Sequence, residues 1–162
     1  MTHPRSIPYG LILLSLFVAL LLGILPMPLW SVWYRPEWMA LVILYWVMVL
    51  PETVNIGVAW LMGIVLDALN GTLLGEHALA LAAIAFIMDK WQRQVRLFPV
   101  WQSAVIVGVL IAIYKLIIGV IQGLVGQPPD SVGYAFSIGT SVLLWPWLQA
   151  VLAVRESYGA QE

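Results

Sequence analysis

Side chains able to do chemistry are few in this chain. Its 162 residues hold two histidines, His3 and His77, eight acidic residues, seven basic ones and no cysteine. Without thiols there can be no disulfide, no thiolate nucleophile and no cysteine-ligated metal. Neither histidine sits in an H-E-x-x-H or comparable ligand spacing, and the neighbours Glu76 and His77 would diverge on a helix. No G-x-S-x-G elbow, Walker loop or dinucleotide fingerprint occurs, and the hydroxyls lack a histidine base within their own apolar run. These features point away from an enzyme and imply no catalytic residue, cofactor or metal. What stands out instead is a pair of opposite charges inside apolar runs, Asp67 and Lys115.

Such charges are costly in hydrocarbon and normally face a bundle interior. With the third run leading outward from Val54 and the fifth from Trp101, the two fall at similar depth, about 13 and 14 residues from the cytoplasmic starts of their runs. Stepping by three or four from Lys115 gathers Ala104, Gly108, Ile111, Gly119 and Gln122 on one face, while Ile106, Leu110, Ile113, Ile117, Val120 and Leu124 form an aliphatic face suited to lipid. Around Asp67 the same stepping collects Gly63, Asn70 and Gly71. A buried Asp67–Lys115 ion pair is therefore expected, serving to fix which helices are neighbours. Gly63, Gly71, Gly119 and Gly123 are the expected helix-packing positions, the last two in G-x-x-x-G spacing.

The elements that must position these residues are membrane spans. Of all residues 62% are hydrophobic and only 9% charged, where soluble domains are about one quarter charged. A chain of this length has too little interior to hide that surface, so lipid is the second apolar solvent. A net charge of −1 with scattered basic residues disfavours nucleic acid. Six apolar runs follow, at residues 7–25, 38–50, 54–69, 73–88, 101–125 and 134–154, the last interrupted by Pro146. The first would rise about 28 Å as a helix, close to the roughly 30 Å hydrocarbon thickness. A cleaved signal sequence is disfavoured there because Leu25-Pro26-Met27-Pro28 is not a small-residue cleavage site. Expected is an all-α integral membrane protein, one domain over 1–162, with a bundle of about six transmembrane helices and a longest soluble stretch at 89–100.

Basic residues orient the bundle, since short cytoplasmic loops retain them. An inner N-terminus puts Arg5, Lys90, Arg93, Arg96 and Arg155 inside against Arg35 outside, so both termini are expected to be cytoplasmic. Trp30, Trp33, Tyr34 and Trp38 then mark the outer interface, and Trp91 and Trp101 flank the inner loop. Two proline-aromatic elements, Arg35-Pro36-Glu37-Trp38 and Trp145-Pro146-Trp147, read as an interfacial anchor and a helix bend, and both are candidate partner contacts.

Arg35-Pro36-x-Trp38, Leu44-Tyr45-Trp46, Leu50-Pro51, Val54-Asn55-x-Gly57, Met62-Gly63, Leu66-Asp67, Gly71, Leu74-Gly75, Ala78-Leu79, Trp101-Gln102 and Trp145-Pro146-Trp147 form an ordered set. This set resembles the MreD family of bacterial rod-shape proteins, proteobacterial branch, over nearly the whole chain. The resemblance implies an inner-membrane, non-enzymatic subunit of the cell-elongation complex. Such a subunit binds the bitopic protein MreC and links MreB filaments to the RodA glycosyltransferase and its transpeptidase, and so organises peptidoglycan synthesis and rod cell shape. The family is also similar in fold to the substrate-binding membrane subunits of energy-coupling-factor transporters. The alternative is accordingly a small-molecule-binding subunit of a membrane transporter. A transport subunit needs a polar-lined pocket. The third and fifth runs, with their ends, offer little beyond Asn55, Asp67, Asn70, Lys115 and Gln122, which favours assembly. Lys90, Arg93 and Arg96 could meet anionic lipid headgroups but read first as topology signals.

Overall fold

Each apolar run folds as a helix in the computed structural model, which describes residues 9–127 and 131–159, with side chains at 9–127 and 132–153. The described residues contain six α-helices and no strand: α1 Tyr9–Ile24, α2 Trp38–Val49, α3 Ile56–Asn70, α4 Glu76–Val95, α5 Val100–Leu124 and α6 Ser131–Gly159. Arg5 and His3 lie outside the described residues, as does the side chain of Arg155.

α2 is the central column. Every side chain from Met39 to Met48 is buried, and α1, α4, α5 and α6 all pack around it. A 12-residue helix rises only about 18 Å, and its hydrophobicity on all sides is what enclosure by other helices requires. α3 completes the wall, packed on α4 and touching α1. Residues outside this core are strongly apolar as well: Leu13, Leu61, Leu116 and Leu143 are among many large aliphatic side chains open to the surroundings. Two helices, Val100–Leu124 and Val132–Ala153, are long and apolar enough to cross a membrane, while α1 and α3 are apolar but shorter.

Several boundaries differ from expectation for physical reasons. α4 continues to Val95 through the stretch expected to be soluble, because Lys90, Gln92, Arg93 and Gln94 are good helix formers, and the loop shrinks to residues 96–99. α6 runs through Pro146. A proline removes only one backbone donor, and Pro146 sits on the exposed side next to the fully buried Trp145. On α5 the buried stripe is Ser103, Ala104, Val107, Gly108, Leu110, Ile111, Tyr114 and Ile118. Leu110, assigned to the aliphatic outer face, is thus in the core, and the exposed line runs through Val105, Val109, Leu116 and Val120. Gly108 marks a close approach of α6, since a Cβ there would stand 2.5 Å from Val142 Cγ2.

Hydrogen bonds sort the loops to two ends. At one, the Arg96 guanidinium donates to the carbonyls of Met48 and Val49, closing the C-terminus of α2, where a cation also suits the helix dipole. At the other, Ser137 and Ser141 of α6 bond the segment that leads into α2: the Ser137 hydroxyl donates to the Arg35 carbonyl at 2.7 Å and the Glu37 N–H donates to Ser141 Oγ at 3.2 Å.

Candidate functional site

A linked set of polar side chains lies at this second end. α3 ends on Gly71, whose φ of 66° provides the left-handed cap, and the turn reverses again at Gly75, φ 103°, before α4. Both angles favour glycine over any residue with a Cβ. α4 therefore begins without a cap of its own, and Asp67 supplies one from the neighbouring helix. Its fully buried carboxylate accepts from Gly75 N at 2.8 Å, His77 N at 3.0 Å and the Thr72 hydroxyl at 3.0 Å, and Oδ1 lies 2.7 Å from His77 Nδ1. An anion at a helix N-terminus satisfies amides that would otherwise be stranded, so a carboxylate is stable here without any cationic span. Gly63, one turn earlier, lets the backbones meet: a Cβ there would lie 2.5 Å from Ala78 N and 2.9 Å from the His77 carbonyl carbon.

Lys115 has a different partner. Its ammonium forms a salt bridge with Glu37 and lies 4.9 Å over the Tyr134 ring. Glu37 precedes the first residue of α2, outside the helical segments. Burial pushes its carboxyl up, but Lys115, with His77 and Arg35 behind it, outweighs that and holds it below the ordinary carboxylate value. The expected Asp67–Lys115 pair is thus replaced by two pairs, Asp67–His77 and Glu37–Lys115. Depth was legible, because both charges reach the same end of the bundle. Partners were not, because Asp67 is claimed by the turn that follows it, and Lys115 by a distant acid, Glu37, in the loop before α2.

A third link closes the end. The Gln122 amide donates to Glu76 Oε1 at 2.7 Å, and the Tyr134 hydroxyl donates to Gln122 Oε1 at 2.9 Å. Glu76 is buried and His77 points to Asp67, so these neighbours do diverge. Between the pairs lies a cavity of about 380 Å³, lined by Arg35, Glu37, Asn70, Thr72, His77, Lys115 and other residues. That volume falls in the range of ligand pockets. The shortage of pocket-lining polar residues expected from the spans is therefore corrected: most come from loops and helix termini, which a count restricted to spans leaves out.

The other expected site residues divide. Pro36 is buried, and Arg35 donates to the Leu22 carbonyl at 3.4 Å. Trp38 is half-buried, with an indole N–H that has no acceptor among the described residues. Trp145 is a core residue, its N–H donating to Ser103 Oγ at 3.1 Å and its ring 6.4 Å from Tyr45, whereas Pro146 and Trp147 are exposed. Gly71 serves as a turn and not as a packing face, with nothing within 4 Å of a Cβ there. Gly123 is likewise in open space and Gly119 is half-buried, so Gly63 and Gly108 are where helices press closest. Among the described residues no group of three potential metal ligands occurs.

An all-helical bundle with an aliphatic exterior and its charged groups drawn toward its two ends fits a membrane protein. The chain belongs to the MreD family: the family model for rod shape-determining protein MreD matches residues 4–155. A rod shape-determining protein MreD of Haemophilus influenzae is 32% identical over 137 residues, covering 84% of this chain and 85% of that protein. No solved structure matches the chain. Its role lies in determining rod shape.

Proposed function

We propose that the chain is a non-enzymatic inner-membrane subunit of the cell-elongation complex that binds MreC. Through MreC it helps couple MreB filaments to the RodA glycosyltransferase and its transpeptidase. The observation that carries this reading is the family match across residues 4–155. In it all six helices cross the inner membrane as one domain, in the arrangement of energy-coupling-factor substrate-binding subunits, and both termini are cytoplasmic. The short α2 is tolerated because other helices screen it from lipid. The placement of Lys90, Arg93 and Arg96 at the end opposite Arg35 supports that orientation. Pro146 and Trp147 are the docking candidates that remain on the exterior.

Complementation tests the reading. In a rod-shaped host depleted of its own family member, expression of this chain is expected to restore the length-to-width ratio of the cells. Round cells despite full-length protein in the inner membrane would overturn it.

A further inference from the structure

Net charge does not select what the polar cavity holds. Two cations, Arg35 and Lys115, stand at this end of the bundle with three acids, Glu37, Asp67 and Glu76. The nearest partners are already joined, Glu37 to Lys115 and Asp67 to His77. An isolated ion of either sign would meet its like as well as its opposite. Selection falls instead to the hydrogen-bonding capacity that the wall has left.

Three hydroxyl residues line the space, and each has spent its one proton inside the protein. Thr72 donates to Asp67 Oδ1 at 3.0 Å, Tyr134 to Gln122 Oε1 at 2.9 Å and Ser137 to the Arg35 carbonyl at 2.7 Å. A hydroxyl that donates inward keeps only lone pairs for a guest, and the Glu37 carboxylate is an acceptor as well. Donors on the same wall are the Asn70 amide and the N–H groups of Lys115 and Arg35 beyond those engaged in the protein. A fitting guest brings several donors, accepts a few bonds in return and carries no net charge. Alcohol groups meet these conditions, since each both donates and accepts. Trp33 and Trp38 line the cavity too, and aromatic side chains supply the apolar surface on which the C–H face of a ring can lie. A volume of about 380 Å³ is near the lower end for small-molecule pockets, which suits one ring and not an oligomer.

We infer that the cavity is a binding site for a neutral polyol about the size of one sugar ring. Its hydroxyls donate to Thr72, Tyr134, Ser137 and Glu37 and accept from Asn70. An apolar groove of about 240 Å³, walled by Leu14, Val18 and Leu22 of α1 and Leu148 of α6, meets the cavity at Trp38, which lines both. The same chemistry can therefore arrive free or as the head group of a lipid whose chain lies in the groove.

Saturation-transfer NMR of the full chain in a polyoxyethylene detergent, with no glycerol present, tests the site. The probes are methyl β-glucoside, standing for a free polyol, and octyl β-glucoside, standing for a lipid head group. Transfer to the ring protons of at least one is expected; transfer to both assigns a free polyol, and transfer to the octyl compound alone assigns a lipid. The tetra-O-methyl ether of whichever probe binds keeps the ring and loses every donor, and its signal should fall about tenfold. Asn70→Ala and Trp33→Ala should each weaken binding about fivefold. Both positions are exposed, and thermal melting reports folding separately. Silence from both probes, equal transfer to the methyl ether, or transfer unchanged in both variants would overturn the proposal. Displacement by millimolar phosphate or choline would also overturn it, in favour of a charged guest. Partner capture does not enter this readout, so it stands or falls apart from the assembly role.

Discussion

A double-mutant cycle separates the Glu37–Lys115 pair from the Asp67–Lys115 pair that helix periodicity suggests. Glu37→Gln, Asp67→Asn and Lys115→Met are combined pairwise and unfolded reversibly in mixed micelles by denaturing detergent, followed by the fluorescence of the nine tryptophans. The Lys115 and Glu37 side chains are only 15% and 20% exposed, so solvent screens their attraction weakly and removing one leaves the other poorly solvated. Contacting charges of this kind couple by about 1–3 kcal/mol. Asp67 draws its bonds from Gly75, His77 and Thr72 and none from Lys115. Its mutation should be costly alone, about 2–4 kcal/mol for stranding several buried donors, yet additive with Lys115→Met to within about 0.5 kcal/mol. Equal coupling of Lys115 to Asp67 and to Glu37 would refute the assignment of partners.

Four further outcomes follow from the same geometry. Gly63→Ala should cost about 2–3 kcal/mol or abolish folding, because α3 and α4 must part by about 1 Å where backbone meets backbone; unchanged melting would contradict the close approach. Glu37 has a folded-state pKa below its ordinary value, so its contribution is full above that ordinary value and is lost as pH falls through the lowered one. The melting temperature of the wild type should therefore drop on acidification more steeply than that of Glu37→Gln. Trp145→Phe deletes a buried N–H bond to Ser103 and should lower stability by about 1 kcal/mol, whereas Trp147→Phe, on the exterior, should change it little. Arg96→Ala strands the α2 carbonyls of Met48 and Val49 and should speed hydrogen exchange at the C-terminus of α2 and cost about 1–2 kcal/mol.

Helices were legible from apolar run length because in this composition little else can be made of such runs. Their ends were less so: α4 outlasts its apolar stretch because Lys90, Gln92, Arg93 and Gln94 favour helix without being apolar. Asp67 was visible as a charge that must be compensated. Its compensation came from backbone amides eight to eleven residues onward, a signal carried faintly by Gly71 and Gly75, whose spacing marks a tight double turn. Glu37 hid in a proline-rich loop, and nothing in its local pattern names a partner in α5 many residues away. The polar cavity escaped for the same reason, since it is assembled from the ends of elements while periodicity speaks to their middles. Trp145 and Trp147 look equivalent around Pro146, and only the packing of α6 on α5 sends one into the core and the other out.

Cross-linked affinity capture of the tagged chain from native membranes, with partners identified by mass spectrometry, tests the assembly claim most directly. Recovery of MreC together with the elongation synthases is the result expected. Recovery of a transporter scaffold with its ATPases, and no MreC, would contradict it.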